Sequence, residues 1–185
     1  MTVPPDPVPS RRHRSARSLA VDTHGAVIIE FGLLAPAFIA LLIAVLVMAV
    51  TAFAQQCVQT TADTMARRVL IGQTQLAGTN KEAFRQQACA TLPSFMKCNQ
   101  LIVDLQKANT FQDIDTTNLT LTYDSAGNVK DNWAYTPGNA GDVVILRVIY
   151  IWPISTGPLG FNISNIGGNQ RLLIGTMVFK SETYS

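Results

Sequence analysis

From Phe31 to Ala54 the chain reads FGLLAPAFIALLIAVLVMAVTAFA, 24 residues without a charge. At ~1.5 Å per residue a helix of that length covers a hydrocarbon core of roughly 30 Å. The stretch is therefore expected to cross a membrane as a helix over residues 26–54, with Pro36 bending its first turns because the ring removes a backbone hydrogen bond. A secretory signal peptide is the rival reading. It fits less well, because such segments carry an apolar core of only about 7–15 residues followed by a small-residue cleavage site.

The flanks orient the span. Arg11, Arg12, Arg14 and Arg17 precede it, whereas Arg67 and Arg68 lie well beyond its far end. The positive-inside bias places residues 1–25 in the cytoplasm as a Pro-rich basic leader and residues 55–185 outside as an extracytoplasmic domain. The leader also holds Asp6 and Asp22, so with 14 basic and 12 acidic residues overall the remainder is balanced. That leaves no basic footprint for a nucleic-acid partner. With 48% of residues hydrophobic and only 14% charged, the composition is too apolar for disorder and points to lipid as the partner of some of its apolar content.

Beyond the bilayer the helical pattern continues. Val58, Ala62, Met65, Val69 and Leu76 recur in steps of three, four and seven, one apolar stripe of an amphipathic helix. Gly78 ends it, and Thr79-Asn-Lys-Glu82 has the spacing of a capping box for a second helix over residues 80–92, stopped by Pro93. The pattern then changes to period two. Leu101, Val103 and Leu105 alternate with Ile102, Asp104 and Gln106, and Leu119, Leu121 and Tyr123 with Thr120 and Thr122, so both read as half-buried strands. After Asp142, the stretch 142–152 is apolar on both faces except at Arg147, as in a central strand, and residues 171–182 form a last strand after a long Gly- and Asn-rich loop. The expected fold is α+β: a long N-terminal helix, a second short helix and an antiparallel sheet of about four strands.

Three cysteines, Cys57, Cys89 and Cys98, fall on the outer side, where a disulfide is possible. If the chain turns back near Gly78, Cys89 lies opposite a residue near 68, ~16 Å along the axis from Cys57. A disulfide needs Cα atoms within roughly 7 Å. Cys89 with Cys98, around Pro93, is the better pair. The alternative is three small buried thiols.

Candidate chemistry is sparse. Both histidines, His13 and His24, lie in the leader, which removes Ser/His, Cys/His and His-metal sites from residues 26–185. The aspartates 104, 113, 115, 124, 131 and 142 are scattered, and the Asp113–Asp115 stretch lacks the glycine and distal glutamate of a calcium loop. No catalytic residue, metal or cofactor is expected. Trp133, Tyr135, Tyr150 and Trp152 read as core or sheet-face aromatics, with a stacking surface for a carbohydrate as the alternative. Arg147 is expected to pair with an aspartate across the sheet.

The segment Gly25-Ala26-Val-Ile-Ile-Glu30-Phe31, behind a basic leader and ahead of an apolar helix, resembles the processing site of type IV pilins. It is most similar to the TadE-like pseudopilins of tight-adherence (Flp) pilus systems, and the likeness continues through EFGLLAPAF and, less specifically, through the Cys89–Cys98 loop and LIVDLQ. The resemblance implies cleavage by a prepilin peptidase after Gly25, with Ala26 as the first mature residue and Glu30 and Phe31 at the fifth and sixth mature positions. It implies that Glu30 docks against the N-terminal amine of a neighbouring subunit. It also implies a bacterial inner-membrane protein whose partners are the peptidase, other pilin and pseudopilin subunits and the pilus assembly machinery. The competing class is an enzyme or solute-binding domain on an uncleaved signal anchor.

Overall fold

The computed structural model describes residues 25–108, 110–113, 121–125 and 129–183. The leader, residues 1–24, and Leu119 and Thr120 of the expected second strand lie outside them. The chain divides into two compact units, Met1–Leu42 and Ile43–Ser185.

One helix, α1 (Ala26–Leu70), runs through both. It passes Pro36 without interruption. In the first unit the large apolar side chains of this helix are exposed, from Val27 at 71% through Phe31 at 72% to Leu34 at 70%. A helix that is apolar all round belongs in lipid or against other chains. By length and composition α1 is the one described helix able to cross a membrane.

In the second unit α1 becomes one-sided. Ala54, Val58, Ala62, Met65 and Val69 are buried in steps of three and four, with Ala66 beside them, and form one side of the core. The helix ends at Leu70, where Gly72 takes φ +77°, a left-handed turn that glycine adopts without steric cost. The carbonyl of Leu70, left without a helical partner, accepts from the backbone N–H of Glu182. This early stop corrects the expected stripe. Leu76 falls in a separate short helix, α2 (Gln73–Leu76), and is 67% exposed.

The second long-range helix of the unit, α3 (Lys81–Ala90), starts one residue later than the spacing suggests and is capped by Asn80, whose side chain accepts from Ala83 N at 2.8 Å. Asn80 thus takes the role assigned to Thr79, since asparagine caps as well as threonine does. The Thr79 carbonyl instead receives the Tyr135 hydroxyl at 2.8 Å. Phe84 and Ala88 are the buried face of α3.

The sheet has three antiparallel strands in sequence order: β1 (Leu101–Ala108), β2 (Val143–Pro153) and β3 (Gln170–Lys180). The expected strand ending at Tyr123 does not form among the described residues; Tyr123 makes a single bridge to Val129. Residues 134–136 instead lie parallel to the free edge of β1, where Leu105 N donates to Ala134 O and Thr136 N to Leu105 O. β2 is central and buried on both faces, as its composition requires. β1 departs from the half-buried expectation: Ile102 and Asp104 are as buried as Val103 and Leu105. Valine, leucine and tyrosine from Leu101 to Leu173 line the face in the core with α1.

Candidate functional site

The first candidate site is the start of α1. Gly25 lies immediately before the helix, and a β-carbon there would meet nothing within 4 Å. Ala26 opens the helix, and Glu30 follows one turn later, on the same side because residues four apart share a helix face. Glu30 is exposed, and among the described residues no cation pairs with it. It is also the only charge between Gly25 and Asp63. Its neighbours Val27, Ile28, Ile29 and Phe31 are apolar and open on the outer side. An ionised carboxylate in such a collar gains most from an external cation, because the surrounding apolar atoms offer it no solvation.

The second candidate is the disulfide-closed loop after α3. Cys89 and Cys98 are bonded, with Cα atoms 5.4 Å apart, and Cys57 is free and half-buried. α3 returns antiparallel along α1, with Arg68 Nη1 donating to Gln87 Oε1 and Thr91 Oγ1 to Thr61 Oγ1, both at 3.0 Å, so Cys89 falls beside residues 61–68 rather than beside Cys57. Arg85 locks the same loop by a second route. Its Nη1 donates to the Cys98 carbonyl at 2.9 Å while Nε and Nη2 hold both oxygens of Glu82. The guanidinium hydrogen bond holds the Glu82 carboxyl below the usual carboxylate range and raises Arg85 in turn.

The third is a buried polar pair on the sheet face turned away from α1. Arg147 Nη1 donates to Asp104 Oδ2 at 2.8 Å, in the cross-strand register that places the two residues opposite each other. Gln106 Nε2 donates to both carboxylate oxygens, at 2.8 and 3.0 Å. Asp104 is fully buried. The pair satisfies charge inside the fold. Arg147 therefore meets the expected aspartate across the sheet.

The remaining expected carboxylates act in turns and ion pairs. Asp113 accepts from Thr110 N, Asp142 from Asn139 N, and Asp131 pairs with Lys81 at 2.6 Å. Asp115 lies outside the described residues. Among the described residues no three His, Cys, Asp or Glu side chains gather at one point.

The aromatics separate into two roles. Tyr150 is core, its oxygen accepting from Lys97 N at 2.7 Å and hydrogen-bonded to Gln100 Oε1 at 3.1 Å; Tyr135 meets Phe84 at a tilt of 58°, with ring centroids 5.6 Å apart. Trp152 is different. It meets Phe95 edge-on at 6.3 Å, and Phe95 meets Phe53 of α1 at 6.0 Å. Phe53 and Phe95 did not stand out in the sequence as site residues, because one lies inside the apolar run and the other beside Pro93. The signal that could have joined them is the absence of charge from Pro153 to Gln170. Compared with protein-family models, with curated proteins and with solved structures, the chain matches none.

Proposed function

We propose that the chain is a TadE-like pseudopilin, a structural subunit without catalytic activity that takes part in assembling a tight-adherence (Flp) type IV pilus. It is processed by a prepilin peptidase after Gly25 and anchored in the bacterial inner membrane with its N-terminus cytoplasmic and its folded domain periplasmic. The observation that carries the reading is the position of Glu30: a lone charge, one turn inside an apolar helix that starts directly after Gly25. Cleavage there would create an amine on Ala26. The Ala26 amine of a neighbouring copy supplies the cation that no described residue of the same chain provides to Glu30, and each subunit offers one such amine and one such carboxylate. Gly25 suits a protease that takes the backbone extended, because it has no side chain to clear.

The test is the N-terminal sequence of the protein taken from its native membrane. Ala26 first supports the reading, and Gly25→Leu should then leave the leader attached. A chain that still begins at Met1 would favour the uncleaved anchored domain instead.

A further inference from the structure

The apolar run does not end where the folded unit begins. Leu46, Val47, Val50 and Thr51 of α1 form one groove with Trp152, Pro153, Ile154 and Ser155, at the end of β2. Met48, Thr51 and Gln55 form another with Ile163 and Arg171. The loop between β2 and β3 thus wraps a helix segment that the composition assigns to lipid. Around it the surface is apolar and open: Leu46 is 64% exposed, Phe53 57% and Phe95 50%.

The tip of this loop turns an apolar side chain outward. At its tip, Pro158–Gly160, Leu159 is 89% exposed and holds φ 56°, ψ 24°, a left-handed conformation that costs a leucine about 1–2 kcal/mol. The turn is fastened by Gly157 N donating to Phe161 O at 2.7 Å. A strained turn that presents a large apolar side chain gains nothing from water. The charges agree. Across residues 43–56, 92–100 and 150–171 the charged residues are Lys97 and Arg171, both basic. Aromatic rings with basic residues at their margin are the composition of a protein surface at lipid headgroup depth, where anionic headgroups attract the cations.

We propose that this end of the second unit, the Phe53–Phe95–Trp152 cluster with the Leu159 turn, is seated in the bilayer interface, Leu159 reaching the acyl chains and Lys97 and Arg171 meeting anionic headgroups. The proposal rests on α1 crossing a membrane and is independent of the pilin reading. Its occupant is lipid, because the surface is continuous with helix residues 43–54 of the same apolar run. A second copy of the chain is the competing occupant.

The full chain, with its Cys89–Cys98 bridge intact and Cys57→Ser, is reconstituted at high lipid excess in phosphatidylcholine–phosphatidylglycerol vesicles. Leu159→Cys carries an environment-sensitive fluorophore, and Leu76→Cys, at a residue 67% exposed in α2, is the control. In a Trp133→Phe chain, Trp152 reports by its own emission. The label at 159 should emit blue-shifted and be quenched several-fold more by spin-labelled lipid than the label at 76, and brominated lipid should quench Trp152. Water-like emission at 159 with unquenched Trp152 would overturn the proposal. So would shielding that appears only when protein is crowded, which would assign the surface to a second copy, and so would equal shielding at 159 and 76, which would mean general adsorption.

Discussion

Gly175 of β3 lies so close to α1 that a β-carbon on it would stand 2.8 Å from the carbonyl oxygen of Val58 and 3.0 Å from the β-carbon of Ala62. Strand and helix backbones are in direct contact there, and the small residues Ala54, Ala62 and Ala66 on the buried side of α1 are what allow it. Gln55 Nε2 fastens the same contact by donating to the Ile174 carbonyl at 2.9 Å.

Gly175→Ala should therefore destabilise the second unit by about 1–3 kcal/mol, the usual cost of forcing extra atoms into a packed core. The obstruction is backbone, which cannot rotate aside. Thermal unfolding of the full chain in detergent, followed by circular dichroism, should show a clear fall in Tm. An unchanged Tm would mean that β3 does not pack on α1 at this distance.

Asp104→Leu alone should cost about 3–5 kcal/mol, because Arg147 keeps its buried charge and loses its carboxylate. Asp104→Leu with Arg147→Met should recover much of that loss, since both charges leave together. Denaturant unfolding of the single and double variants decides. A double variant as weak as the single one would show that the pair is not the reason the charges are tolerated.

Reduction of the Cys89–Cys98 bridge, which closes a sequence separation of 9, should lower stability by about 2–4 kcal/mol. Alkylating Cys57 should cost much less, because that thiol is only half-buried and forms no bond. Tm measured with and without reductant, on chains with Cys57 blocked and unblocked, separates the two. Equal effects would place the structural role on Cys57.

Burial pushes the Tyr135 phenol up to about 12 from its ordinary 10.0. Below the unfolded value both states hold the proton, and the hydroxyl's contribution is fully present. Between the two values the unfolded chain releases its proton first, so stability is lost as pH rises through that window. Tyr150 is raised by burial too, offset in part by its hydrogen bond with Lys97 N, and adds to the same slope. Tyr135→Phe should flatten the alkaline loss without abolishing it; an unchanged pH profile would contradict the assignment.

On the proposed pilin reading, Glu30→Gln, which keeps the shape of the side chain and removes its charge, should spare membrane insertion and cleavage while weakening subunit contacts. Site-directed crosslinking between copies in the native membrane measures this. Undiminished crosslinking in the amide variant would eliminate Glu30 as a docking charge.

Periodicity carried most of what was legible in the chain. Apolar spacing placed the buried side of α1 from Val58 to Val69, and two-sided apolarity marked β2 as central. These properties depend on neighbours three, four or two residues away, which a sequence displays directly. The Cys89–Cys98 pair was legible for a similar reason: it closes a short local loop, and a return of the chain near Gly78 already separates Cys57. Local alternatives of similar energy were not legible. Asn80 and Thr79 can each cap α3, and only the Tyr135 hydroxyl reaching the Thr79 carbonyl shows which environment each residue meets. Nor could alternation reveal that β1 is buried on its second face, since Asp104 reads as a solvent residue until Arg147 stands opposite it. Gly175 looks like an arbitrary glycine in a strand, and its necessity comes from Val58, more than a hundred residues earlier. The apolar run by itself marked a helix long and apolar enough to cross a membrane. How far the folded unit reaches back along that run, to Leu46 and Trp152, was decided by tertiary packing, because the free energy of that contact depends on two surfaces that meet only after the sheet has formed.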